Sequence, residues 1–134
     1  MKNLEPEVVW NHFQNISEIP RCSGNEKRIR NYILSVAERN DCETKVDEVG
    51  NVLVKKEATV ERDVPITILQ GHMDMVCEKD EDTEHDFTTD PIEIKKEGQW
   101  ITANGTTLGA DNGIGLAMAL AVIDEDLTHG PLEF

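Results

Sequence analysis

The chain has 134 residues, a formal net charge of -14 and a sequence pI near 4.5. Nucleic acid and anionic membrane surfaces would repel such a chain, so neither is expected as a partner. The length suits one domain or part of one, and the longest apolar stretch, Ile114 to Ile123, is too short to cross a bilayer.

The amino terminus, Met1 to Pro6, lacks the apolar core of a signal peptide, which points to a cytoplasmic protein. A first helix is expected from about Pro6 to Ile19, with Val9, Phe13 and Ile16 on one face, Pro6 in the first turn and Pro20 beyond the end. Ser23-Gly24-Asn25-Glu26 has the capping-box pattern. It opens a second helix whose buried face would be Ile29, Tyr32, Ile33, Val36 and Ala37, stopping near Asn40. Thr44 and Val46, then Val52, Leu53 and Val54 across a Gly50-Asn51 turn signal, read as two strands. Pro65 to Leu69 is a nearly continuous apolar run, expected as a strand covered on both faces.

That strand delivers Gly71-His72-Met73-Asp74-Met75-Val76 at its carboxyl end, where ligands gather in α/β sheets. His72 and Asp74 stand at i and i+2, on the same side of an extended chain, so the carboxylate can receive the ring N–H. A metal-ligating histidine is oriented in that way. Glu78 to Asp90 is acidic and aperiodic, and reads as a solvated loop. A calcium loop is excluded by His85 where glycine is required and Pro91 where the bidentate glutamate belongs. Ile92 to Ile101 alternates like edge strands, with Asn104-Gly105 as a turn signal.

Gly109-Ala110-Asp111-Asn112-Gly113-Ile114-Gly115 then wraps an aspartate in glycines, where backbone and ligand can approach closely. Asp111 by itself also fits a helix N-cap. A dinucleotide loop is excluded because Met118 stands where the third glycine would be. The helix that follows, Gly113 to Ile123, is apolar nearly all round and is expected in the interior. Pro131 to Phe134 reads as the opening of another strand. Cys22, Cys42 and Cys77 are odd in number and widely spaced, which fits unpaired thiols in a reducing compartment, and Cys77 reads as a small buried hydrophobe rather than a soft ligand. His12 and His129 read as structural, and His85 has no chemistry that its spacing supplies.

Several unusual segments occur together: Leu69 to Val76, His85-Asp86-Phe87 with Asp90-Pro91-Ile92, Gly105 to Gly115, and His129 to Glu133. In these, and essentially from end to end, the chain resembles the bacterial aminoacyl-histidine dipeptidases, or cytosol nonspecific dipeptidases, a branch of the co-catalytic zinc peptidases. The resemblance implies a three-layer α/β/α catalytic domain with a mixed sheet, of which residues 1–134 would be the amino-terminal part. It makes His72 a terminal zinc ligand, Asp111 the carboxylate bridging two zincs, and Asp74 the catalytic-site aspartate that orients His72. It implies a cis peptide between Asp111 and Asn112 in the complete, metal-loaded protein, with relaxation to trans open to this chain alone. A Glu-Glu pair, further aspartate and histidine ligands and an inserted dimerisation domain would lie beyond Phe134.

The function so implied is hydrolysis of unblocked dipeptides, including those ending in histidine, through a metal-bridging water. The cofactor would be two Zn2+, with Co2+ or Mn2+ as substitutes, and the longer protein a homodimer, this chain alone being inactive. Two alternatives stay open: a non-catalytic binding module, and an aminoacylase or carboxypeptidase of the same zinc group.

Overall fold

The computed structural model describes residues 4–60 and 63–134, so the reading of the terminus at Met1 to Asn3 lies outside the described residues. Helix α1 is Glu7–Ser17, α2 is Lys27–Arg39 and α3 is Ala110–Asp124. The strands are β1 Glu43–Val46, β2 Val52–Lys56, β3 Thr67–Ile68, β4 Ile94–Glu97, β5 Trp100–Ala103 and β6 Leu132–Glu133. The architecture is mixed α/β with a mixed sheet, as expected.

The four-stranded sheet runs β1-β2-β6-β3, antiparallel except for the parallel β3–β6 pair. The last strand in sequence thus sits between two early ones. Asp47 shapes the β1–β2 turn: its Oδ1 accepts the N–H groups of Val49, Gly50 and Asn51 at 2.8–3.1 Å. Arg30 Nε donates to Gly50 O at 2.9 Å, tying that turn to α2. β4 and β5 form a separate hairpin, which turns at Gly98 in a left-handed conformation rather than at Asn104-Gly105.

One core joins the three helices to the sheet. Phe13 and Ile16 of α1, Ile29, Ile33, Val36 and Ala37 of α2, Val54 of β2, and Ala117, Leu120 and Ile123 of α3 bury together. The alanines and glycines of α3 let α1 lie close against it, as their spacing promised. Lys56 finishes α3 by donating its ammonium to the carbonyls of Val122, Ile123 and Glu125 at 2.8–3.1 Å, a cation where the helix dipole is negative. Behind the helices, His12 is buried with Nδ1 2.9 Å from Tyr32 Oη and Nε2 2.9 Å from Asp124 Oδ2. Arg39 and Asn40 also donate to Asp124, so one carboxylate ties all three helices together.

Four expectations are corrected. The run at Pro65 to Leu69 is not covered on both faces: β3 has two residues at an edge of the described sheet, and Ile66, Ile68 and Leu69 remain exposed. α3 is not wholly interior, since Met118 is 56% exposed while its opposite face is buried. The capping box does not form. Glu26 Oε1 accepts from Gly24 N, and the Ser23 hydroxyl turns away from the helix to another carboxylate. The cysteines are not all free: Cys22 and Cys77 form a disulfide across 55 residues, leaving Cys42 as the free thiol. The pairing follows from a parallel bridge between Cys22 and Met75 that lays the two segments side by side, which no local spacing announces.

Candidate functional site

His72 lies just past the carboxyl end of β3, and Asp111 lies at the entrance of α3. The structure brings both together with Asp74. The segment carrying Asp74 is held against the one before α2, with Ser23 N donating to Met75 O and Met75 N donating to Arg21 O. His72 Nδ1 lies 2.9 Å from Asp74 Oδ1, two residues on in the chain. The other ring nitrogen, Nε2, lies 2.9 Å from Asp111 Oδ1. Ser23 Oγ donates to Asp74 Oδ2 at 2.5 Å, which occupies the second carboxylate oxygen.

Electrostatics follow the geometry. The hydrogen bond to Asp111, outweighing some desolvation and joined by that to Asp74, raises the His72 imidazole above its ordinary value. The Ser23 hydroxyl, with the His72 ring, holds the Asp74 carboxyl below the usual range against a small opposing burial effect. The ring thus stands between two carboxylates, Asp74 on Nδ1 and Asp111 on Nε2. The Asp111 side chain is 96% exposed, so its remaining oxygen faces solvent.

Asp111 does not cap α3. Gly109 occupies the cap position with no side-chain cap bond, and Asp111 (φ -93, ψ 107) and Asn112 (φ -108, ψ 33) depart from helical geometry before the regular turns begin. The peptide between them is cis. The kink turns the Asp111 carboxylate outward to His72 instead of along the helix axis.

The glycines around Asp111 have specific neighbours. A side chain at Gly113 would place its Cβ 2.6 Å from Arg21 Nη2, and one at Gly109 would meet the same nitrogen at 2.6 Å and Met75 Sδ at 2.7 Å. A Cβ at Gly71 would meet Asn112 Nδ2 at 2.6 Å, and one at Gly115 would overlap Asn112 Oδ1. Two glycines therefore make room for Arg21 and two for the Asn112 amide. Arg21 is 1% exposed; burial lowers its guanidinium to about 10, offset in part by Asp74, so it remains a cation at neutral pH.

Sequence reasoning missed Arg21, Ser23 and Asn112. Their signal was indirect: an excess of glycine is a demand for space, and something must fill it. His85 is not part of the constellation. Its ring packs edge-on against Phe87 with centroids 4.4 Å apart, and its carbonyl accepts from Lys79 Nζ. Beside His72, a groove of about 410 Å³ runs between α3 and the sheet, lined by Leu69, Met73, Met118, Val122 and Phe134 among others.

No protein-family profile matches the chain. A cytosol non-specific dipeptidase from Escherichia coli (strain K12) is 47% identical over 136 residues, covering 99% of this chain and 28% of that protein. The crystal structure of an aminoacylhistidine dipeptidase from Vibrio alginolyticus superposes with a TM-score of 0.94 at 45% identity, over 98% of this chain and 27% of that one. In sequence this chain is similar to that cytosol non-specific dipeptidase, and in fold to that aminoacylhistidine dipeptidase. It spans little more than a quarter of the length of these dipeptidases. A tripeptidase from Staphylococcus aureus shares the architecture more distantly, with a TM-score of 0.78 at 25% identity over 96% of this chain and 35% of that one.

Among the described residues, no group of three or more His, Cys, Asp or Glu side chains is placed to hold a metal ion. His72 and Asp111 are two donors, an imidazole and a carboxylate, of the kind that zinc accepts. Their facing atoms are at hydrogen-bond distance and open to solvent, so the pair fits a metal ion by donor chemistry, and further donors would be needed to complete a site.

Proposed function

We propose that this chain is the amino-terminal part of the catalytic domain of a zinc-dependent dipeptidase that hydrolyses unblocked dipeptides, Xaa-His among them. The observation that carries the reading is the pairing of His72 Nε2 with Asp111 Oδ1 at 2.9 Å while Nδ1 is held by Asp74. An imidazole with one nitrogen committed to a carboxylate presents the other as a lone pair in a fixed direction. Two of the similar proteins are dipeptidases by name and the third a tripeptidase, which supports peptide hydrolysis.

His72 would supply Nε2 to the metal and Asp111 its exposed carboxylate, whose two oxygens suit a bridge between two ions. Two Zn2+, or Co2+ or Mn2+ in their place, would acidify water and polarise the scissile carbonyl. Asp74 keeps the His72 proton on Nδ1, and Ser23 keeps Asp74 ionised and pointed at the ring. Arg21, buried at 1% exposure, bonds the backbone of the segments that carry these groups. The substrate would be a small peptide. The longer protein would be a homodimer working in the cytoplasm. Within this chain, no described helix is long and apolar enough to cross a membrane.

The test is zinc content by mass spectrometry beside release of free histidine from a dipeptide. The longer protein is expected to hold zinc, hydrolyse the dipeptide and lose activity on chelation. The 134-residue chain should bind zinc weakly and turn nothing over, because it supplies two donors and no general-base glutamate beside them. Full activity in the bare chain would show the site to be misplaced. Preference for an acylated amino acid over a free dipeptide would move the protein to the aminoacylase branch.

A further inference from the structure

Arg21 is a buried cation that neither the metal ligands nor their orienting carboxylate explains. Its Nη1 donates to Met73 O at 3.2 Å and to Asp74 O at 3.0 Å, and its Nη2 donates to Gly109 O at 2.6 Å. The first two carbonyls follow His72 directly in sequence, and the third stands two residues before Asp111. One rigid guanidinium therefore spans the gap between the loop of His72 and the loop of Asp111, from behind.

Burying a guanidinium at 1% exposure is costly, and an apolar side chain of similar volume would fill the space at less cost if filling were the requirement. The surroundings are also shaped around this fork. Gly109, at φ +70, and Gly113 each lack the Cβ that would collide with Nη2. Nε is buried without a partner, so the side chain accepts one unsatisfied donor to keep its other nitrogens on the three carbonyls. Lysine could keep the charge but not the shape, because its one ammonium lacks the planar fork that places Nη1 on one loop and Nη2 on the other.

We propose that Arg21 is a positioning residue that sets the separation of His72 and Asp111 by bonding the backbone of both their loops. The inference rests on the reading of these two side chains as metal ligands. Ligands must be held within roughly 0.5 Å of the productive geometry, and loss of an outer partner commonly weakens metal binding by about 10–100-fold.

The experiment uses the longer protein with Arg21→Lys and Arg21→Met. Apo-protein is titrated with Zn2+ against a chromophoric chelator, and the d–d absorption bands are recorded at saturating Co2+. Both variants should bind Zn2+ about 10-fold or more weakly, with shifted Co2+ bands, and kcat should fall more than KM rises. A residue that only supports the fold would lower the melting temperature and leave the bands of the saturated protein in place. If Arg21→Met fails to fold, Arg21→Lys carries the same readouts. Zn2+ affinity and Co2+ bands unchanged in Arg21→Lys would overturn the assignment while leaving the metal site standing. An unmodified protein that binds no Zn2+ would remove the metal reading, and this inference with it.

Discussion

His72 shows how much one side chain depends on what holds it. Its ring is half exposed, so its contacts with Asp74 and Asp111 are screened and contribute little to stability. Their value is orientation. In the longer protein, His72→Ala and Asp111→Ala are expected to remove zinc and activity together. Asp74→Asn should leave zinc partly bound but cut turnover, since only ligand direction and basicity change. Zinc content measured beside dipeptide hydrolysis checks all three, and an unaffected Asp111→Ala protein would count against the site. The glycines make a second prediction at this scale. Gly113→Ala would drive a methyl group into Arg21 and Phe13, and Gly109→Ala would add left-handed strain to a similar clash. Each should lose about 1–3 kcal/mol in urea denaturation. Gly98→Ala in the exposed hairpin turn meets nothing within 4 Å and should show the conformational part alone.

At the scale of elements, α3 connects the site to the core. Its first turn is bent at Asp111 and Asn112, while Ala117, Leu120 and Ile123 anchor the rest among α1, α2 and β2. Its last residue, Asp124, meets His12 from α1 and Arg39 and Asn40 from the end of α2. Burial lowers the His12 imidazole below 6.5 in spite of the Asp124 charge. The unfolded chain therefore takes up this proton first, and stability should fall as pH drops below about 6.5. Asp124 adds to the trend at lower pH: burial alone would raise its carboxyl, but the bonds from Arg39 and Asn40 win and hold it down, so its contribution is lost as pH falls through the depressed value. His72 has the opposite sign, with stabilisation present below 6.5 and lost as pH rises through its raised value, but its exposure keeps the effect small. Urea melts at pH 5.5 and 7.5 should show lower stability at the acid value, and His12→Gln should reduce the difference. A flat profile would mean that the network is already open.

For the whole molecule, the described surface leaves apolar groups uncovered along one side. Ile66 and Ile68 at the β3 edge are 54% and 67% exposed, and Met118 lines the groove beside them. An edge strand with apolar side chains is a template for pairing with another chain. The 134-residue chain should self-associate in light scattering, and Ile68→Lys should shift it toward monomer. A sharp cooperative melt of a monomer at high concentration would contradict this. The Cys22–Cys77 bond closes a long loop around the site, and opening it with a dithiol should lower stability by about 2–4 kcal/mol. The same loss is expected in Cys77→Ser without reductant.

The sequence by itself determined the helices, because Phe13, Ile16, Ile29, Ile33 and Val36 repeat at helical spacing and bury as that spacing requires. It also determined the β1–β2 hairpin and the His72–Asp74 contact, since both depend on residues a few positions apart. Tertiary structure decided what depends on distance along the chain. The pairing of β6 between β2 and β3, the Cys22–Cys77 bond, the turn of Ser23 from helix cap to carboxylate partner and the burial of Arg21 each join segments separated by 50 residues or more. Local periodicity carries no record of such partners. The glycines near Asp111 were visible in the sequence, but only the folded chain shows that two of them are hollow for a guanidinium and two for an amide.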